Sequence, residues 1–123
     1  MLGEKYRLSK NRDFRFIYKR GKNIAQKRVA MVYISSRAKD ELLIGFSVGR
    51  KVANAVGRNR IKRLMRENVR LMIDDIKPGY RIIFIARGAA FGADYEQIGK
   101  DIKRLLSRAG LLKDDTSGKK DNV

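Results

Sequence analysis

Apolar positions recur at helical spacing in three stretches of the chain and at strand spacing between them. Ile17 and Tyr18 follow Phe14 at i+3 and i+4, one face of a helix, with Ser9 placed to cap the run and Gly21 to stop it. Residues 1–8 ahead of it are polar and are expected to be loose. Val29 to Ile34 is apolar and β-branched, and Leu42, Ile44, Phe46 and Val48 alternate with smaller residues. Both read as strands, with the polar segment Ser35–Glu41 as the hairpin loop between them and Asn23–Ala25 as a short strand beforehand. Asn54 is a good N-cap for a long helix reaching about Ile73, and Lys77-Pro78-Gly79 has Pro and Gly in type II turn order. Ile82 to Ala86 is continuously apolar, as in a strand buried on both faces. Asp94, with Gln97 three residues on, opens a last helix that carries Tyr95, Ile98, Ile102, Leu105 and Leu106 on one face. The order αβββαβα places the chain in the α+β class, a sandwich of three helices on one four-stranded mixed sheet. A single domain over residues 1–112 is expected, followed by a flexible polar tail, 113–123, of sequence KDDTSGKKDNV.

Composition narrows the setting. The 123 residues, 43% hydrophobic, suffice for one domain with a real core. No Cys is present, which excludes disulfides and thiolate metal sites and is compatible with a reducing compartment. The start MLGEKYRLSK has no apolar leader core, and no run of 18 apolar residues occurs, so a cytoplasmic protein is expected.

Charge changes the picture most. Thirty Lys and Arg against 13 Asp and Glu leave a net +17. A domain that basic repels itself unless a polyanion neutralises it, and nucleic acid is the commonest such partner. An anionic membrane surface is the rival, but no long basic helix carries a Trp/Phe/Leu face to insert.

The cations concentrate in FSVGRKVANAVGRNRIKRLMRE, residues 46–67. Between Glu41 and Glu67 there is no acidic residue, whereas Arg50, Lys51, Arg58, Arg60, Lys62, Arg63 and Arg66 are all basic. On a helical wheel Ile61, Leu64, Met65 and Met72 form one stripe, and Asn59, Lys62, Arg63, Arg66 and Arg70 project from the other side. An ordinary solvated face mixes signs and gains i,i+4 pairs; here Arg58/Lys62, Lys62/Arg66 and Arg66/Arg70 set like charges four apart. Arg58 and Arg60 also sit in the first turns, where the helix dipole disfavours cations by about 0.3–1 kcal/mol. A bound phosphate reverses that sign and uses the free N–H groups as well. Arginine forks suit both phosphate oxygens and base stacking.

At this helix the residues resemble a specific family. Ala55-Val56-Gly57-Arg58-Asn59-Arg60-Ile61-Lys62-Arg63-Leu64-Met65-Arg66 is similar to the signature A-V-x-R-N-R-x-K-R-x-x-R of the bacterial ribonuclease P protein subunit. Leu8, Asn11, Asp13-Phe14 and Lys19-Arg20-Gly21 resemble that family's first helix, and Gly45-Phe46-Ser47-Val48 followed by Arg50-Lys51 resembles its third strand. The likeness covers roughly residues 5–110 in the same order of elements.

The resemblance implies a small basic protein that joins a large catalytic RNA and assists removal of the 5′ leader from precursor tRNA. Catalysis belongs to the RNA, which mainly holds its Mg²⁺ ions, and no protein residue is implied as catalytic. The RNR-helix face is implied to meet the RNA and to contribute to metal-ion affinity, without a named metal ligand. Carried over by position, Arg58, Asn59, Arg60, Lys62, Arg63 and Arg66 are expected RNA-subunit contacts. Phe14 and Tyr18 match aromatic positions lining a leader cleft, with Val32 and Tyr33 as candidates for its floor. Arg50 and Lys51 match basic positions near the substrate and metal region, and Arg87 is a weaker candidate there. The family fold also implies a left-handed β-α-β crossover through residues 42–48, 55–73 and 81–86. Generic rules favour the opposite hand in about 98% of cases. Phe14, Ile17 and Tyr18 also suit plain core packing, and Phe16 lies off their stripe without an evident role.

A protein nuclease acting alone wants a His base or a carboxylate cluster for Mg²⁺. His is absent, and Asp40-Glu41, Asp74-Asp75 and Asp114-Asp115 are adjacent pairs in loops, a helix end or the tail. Neither a Walker loop nor GxGxxG occurs. The alternative is a ribosomal or RNA-chaperone type of basic binder without a dedicated substrate. Composition does not separate the two; the helix signature does.

Overall fold

A computed structural model describes residues 2–113 of the chain. Helix α1 (Asn11–Arg20) is followed by strands β1 (Lys22–Ala25), β2 (Val29–Ser35) and β3 (Leu42–Val48). Helix α2 (Ala55–Leu71), strand β4 (Tyr80–Ala86) and helix α3 (Tyr95–Arg108) complete the expected order. The sheet runs β1-β2-β4-β3, with β3 and β4 parallel and the other pairs antiparallel.

The apolar strand β4 takes the interior position, as its continuous hydrophobicity requires. Ile82 and Phe84 face α2 and α3, while Ile83 faces α1, all three fully buried. The larger core joins Ile82 and Phe84 to Ile61, Met65 and Val69 of α2 and Ile98, Ile102 and Leu105 of α3; a smaller one holds Leu8, Ile17, Val32 and Ile83 under α1. The layers are thus one helix, the sheet, and two helices.

Four local expectations are corrected. Residues 35–41 are not a hairpin loop, because β4 lies between β2 and β3. The connection passes over the start of β4, with Ser36 N–H donating to Gly79 O (2.8 Å) and Gly79 N–H to Glu41 O (2.5 Å). Gly79 adopts φ +93°, the left-handed region that the Pro-Gly order anticipated. The N-terminal residues are not loose: Leu2 and Leu8 are buried, Glu4–Tyr6 form a 3₁₀ turn, and Leu8 N–H donates to Ile44 O (3.0 Å). That contact covers part of the outer edge of β3, which otherwise offers free backbone groups. Ser9 does not cap α1; Lys10 holds the N-cap position without a side-chain bond. Helix α2 ends at Leu71, and Ile73–Asp75 continue as a 3₁₀ turn.

Other signals correspond closely to what forms. Asn54 Oδ1 accepts from Gly57 N–H (2.9 Å) to start α2, and Asp94 and Gln97 make a reciprocal capping box on α3. Gly21 ends α1 where any Cβ would lie 2.8 Å from Val32 Cγ1 and 2.9 Å from Tyr33 O, so only glycine lets the chain turn so close to β2. The expected tail, 113–123, lies outside the described residues except for Lys113, whose N–H donates to Asp75 O.

Candidate nucleic-acid interface

A groove runs between α1 and the outer strand β3, with α2 as its far rim. Its two adjoining hollows, about 280 and 480 Å³, share Leu8, Ser9, Phe14, Phe46 and Lys62. Phe14 rests on Gly45, where an added Cβ would collide with its ring, so the bare glycine seats the aromatic against the sheet. Tyr18 stands one turn on, 42% exposed, its ring centroid 6.3 Å from that of Phe14 at 54°. The two rings present a tilted pair toward Ser47 and Val48.

Two of the α2 cations enter this groove. Lys62 lines both hollows, and Arg66 is half-buried with its guanidinium 5.8 Å from the Phe46 ring centroid. Phe46 in turn stacks on Phe84 of the core (6.1 Å, 20°), so the arginine is carried on an aromatic column. Asn59, Arg60 and Arg63 are exposed further round the helix. Arg58 is partly buried and donates to Ala53 O (3.0 Å), and Arg60 reaches toward Ala93 O (3.5 Å). None of Arg58, Arg60, Lys62, Arg63 and Arg66 pairs with a carboxylate among the described residues. Arg70 does pair: it donates twice to Glu67 Oε1 (3.0 and 2.9 Å) and holds that carboxyl below its ordinary range. It therefore leaves the row of unpaired cations on which the wheel had placed it.

The remaining expected residues divide. Arg50 and Lys51 are exposed in the turn after β3, at the same sheet end as Arg87 because β3 and β4 are parallel. Arg87 spends its guanidinium on Gln26 O (2.8 Å) and its N–H on Arg28 O, pinning the β1–β2 connection. Val32 and Tyr33 do not floor the groove. Val32 is sealed beneath α1 at 1% exposure, and Tyr33, in register with Ile82, faces the α3 side and lines a separate hollow with Tyr80 and Lys22. The floor comes instead from Gly45, Phe46, Ser47 and Val48 of β3, because the topology puts β3 at the edge and β2 inside. Asn11 and Arg15 also lie on the groove side of α1; the resemblance includes Asn11 without giving it a site role, and Arg15, a lone polar residue, carries no periodic signal.

Among the described residues no group of three or more His, Cys, Asp or Glu is arranged to hold a metal ion. The groove's polar side chains are cations, hydroxyls and the Asn11 amide, and without a carboxylate among its lining residues this set does not fit a protein-held Mg²⁺.

The ribonuclease P family model matches residues 2–110, nearly the whole described chain. The chain belongs to the ribonuclease P protein family. The ribonuclease P protein component of Clostridium kluyveri is 43% identical over 110 residues, 88% of this chain and 97% of that protein. That of Clostridioides difficile is 45% identical over 105 residues, 85% and 91% of the two chains. The solved RNase P protein of Staphylococcus aureus superposes with TM-score 0.80 at 35% identity, covering 88% of this chain and 98% of its own.

Proposed function

We infer that the chain is the protein component of ribonuclease P, the accessory subunit of a ribonucleoprotein that removes the 5′ leader of precursor tRNA. One observation carries the division of labour: Lys62 and Arg66 of the cationic helix line the same groove as Phe14 of α1. Helix cations and ring faces thus form one continuous surface. Asn59, Arg60 and Arg63 on the exposed side of α2, with the half-buried Arg58 at its start, contact the phosphates of the catalytic RNA. The groove of Phe14, Tyr18, Gly45 and Ser47 takes the single-stranded leader, whose unpaired bases stack on aromatic faces while Lys62 and Arg66 meet its backbone. Arg50 and Lys51 extend the positive field from the groove's end toward the junction of leader and tRNA.

This chain binds and orients; no residue of it is assigned to bond cleavage. Mg²⁺ is held by RNA phosphates, and the protein's part is to lower the repulsion between two polyanions, which reduces the ion concentration the RNA needs. No helix among the described residues is long and apolar enough to cross a membrane, and with the cysteine-free sequence this suits a cytoplasmic assembly.

Reconstitution with a ribonuclease P RNA tests the function. The protein is expected to restore cleavage of precursor tRNA at a Mg²⁺ concentration where the RNA alone is inactive, and to show no cleavage by itself. Cleavage by nuclease-free protein alone, lost on a point mutation in it, would overturn this division. A chain that binds ribosomes or mixed transcripts instead would favour a general RNA chaperone.

A further inference from the structure

Helix α1 has a second flank that the leader groove does not use. Phe16, off the Phe14–Tyr18 stripe, is 52% exposed and lines a cavity of about 600 Å³ with Ile34, Ser36, Arg37, Glu41 and Arg81. None of these residues lines the groove on the β3 flank. The Arg20 guanidinium sits 5.9 Å from the Phe16 ring centroid, one turn along α1, and steadies the ring as a platform. Ile34 and Ala38 supply apolar wall, while Arg37, Arg81 and Glu41, the one carboxylate among the lining residues, supply charge.

The polar groups here are incompletely matched. Arg81 reaches Glu41 at 3.5 Å and Asp13 only at 3.9 Å, and its buried Nε has no hydrogen-bond partner among the described residues. Glu41 Oε1 accepts from Ser36 Oγ (2.5 Å) and faces Arg81. An exposed ring, guanidinium groups and a carboxylate acceptor around one concavity are the elements by which proteins bind an unpaired base. A bare anion would have no use for the ring, and the net +17 of the chain favours a polyanion over an apolar peptide.

We propose that this cavity is a second nucleic-acid pocket that takes one unpaired nucleotide, its base stacked on Phe16 and its phosphate against Arg37. Glu41 accepts from an exocyclic amino group, so cytosine is preferred over uracil. The proposal rests on the RNA-binding reading above but not on the leader groove, because the nucleotide need not belong to the leader.

Titration of the isotope-labelled full chain with cytidine 5′-monophosphate, followed by NMR, tests it. Saturable shifts are expected at Phe16, Ser36 and Arg37, with clearly weaker binding of uridine 5′-monophosphate. Phe16→Ala should weaken that response at least about tenfold, as loss of one stacking platform does, whereas Phe16→Tyr should preserve it. Unchanged melting of Phe16→Ala is expected from the exposure of the ring. Shifts confined to Phe14 and Tyr18, an unaltered response in Phe16→Ala, or equal shifts from inorganic phosphate alone would each overturn the pocket. Loss of the RNA-binding reading itself would look different: the unaltered chain would then fail to bind ribonuclease P RNA.

Discussion

Arg63 and Arg66 lie three apart on α2 and share a charge, yet their surroundings give them different jobs. Arg63 is exposed and without a carboxylate partner among the described residues, so Arg63→Ala should leave melting unchanged. It should flatten the log–log salt dependence of RNA binding by roughly 0.7–0.9, the share of one phosphate contact. Arg66 rests on Phe46 inside the groove, so Arg66→Ala should flatten the salt dependence of leader-bearing precursor tRNA binding by a similar amount and also lose about 0.5–1 kcal/mol of stability. Salt-dependent binding and melting of the two variants check this together; equal melting would mean that the ring contact contributes nothing. Glu67 offers a second test. The Arg70 hydrogen bonds lower its pKa from the ordinary 4.5, so its stabilising share is present above the unfolded-state value and is lost as pH falls through the folded one. A carboxyl titration by NMR should give a midpoint below 4.5, moving up toward it in Arg70→Ala. Charge and spacing made this row of cations legible; the pairing of Arg70 and the seat of Arg66 depend on side-chain directions that a wheel does not contain.

At the scale of elements, α1 does two things at once. Ile17 is fully buried beneath it, Phe14 is half-buried against Gly45, and Tyr18 stands largely free. The choice between core and binding surface therefore resolves within one helical stripe, residue by residue. Tyr18→Ala is the cleaner probe of the leader groove. It should weaken the holoenzyme's binding of leader-bearing precursor tRNA about tenfold, the worth of one stacked base, while mature tRNA binds as before. Phe14→Leu should have the same selectivity with an added fall in melting temperature, since its ring also packs on the sheet. Equal losses for both tRNAs would remove the rings from the leader site. The strand β3 shows the converse problem. Its alternating pattern identified a strand, but not that it would be the sheet edge and so the groove floor in place of Val32 and Tyr33.

For the whole molecule, the net +17 sets behaviour in solution. Ion pairs such as Arg28–Asp101 and Arg70–Glu67 do not reduce it, because the net value already counts every carboxylate. Raising salt from about 0.05 to 0.3 M should therefore raise the melting temperature of the free protein, because the Debye length shortens from roughly 14 to 6 Å and self-repulsion is screened. The same change should weaken its complex with RNA. Melting curves and binding isotherms over one salt series check both signs; a free protein destabilised by salt would show that its cations are held in favourable pairs.

The sequence by itself determined the elements, most of their caps, the buried run of β4 and the cationic face of α2. Each of these is a local matter, decided by periodicity, by a capping side chain or by composition within one turn or strand. The twelve-residue helix signature was local too, and it was enough to point to the family. Tertiary structure alone decided which strands are neighbours and hence which residues meet. Inserting β4 between β2 and β3 turned an expected hairpin into a crossing loop and moved β3 to the edge. The same arrangement placed Lys62 beside Phe14 and gathered Arg37, Glu41 and Arg81 around Phe16. Asn68 belongs here as well: a polar residue on the buried side of α2, it donates to Tyr95 O (3.0 Å) of α3 and packs against the bare backbone of Gly99. Such contacts join positions far apart in the chain, and a pattern of hydrophobic and polar residues holds no information about which distant partner will satisfy a given group.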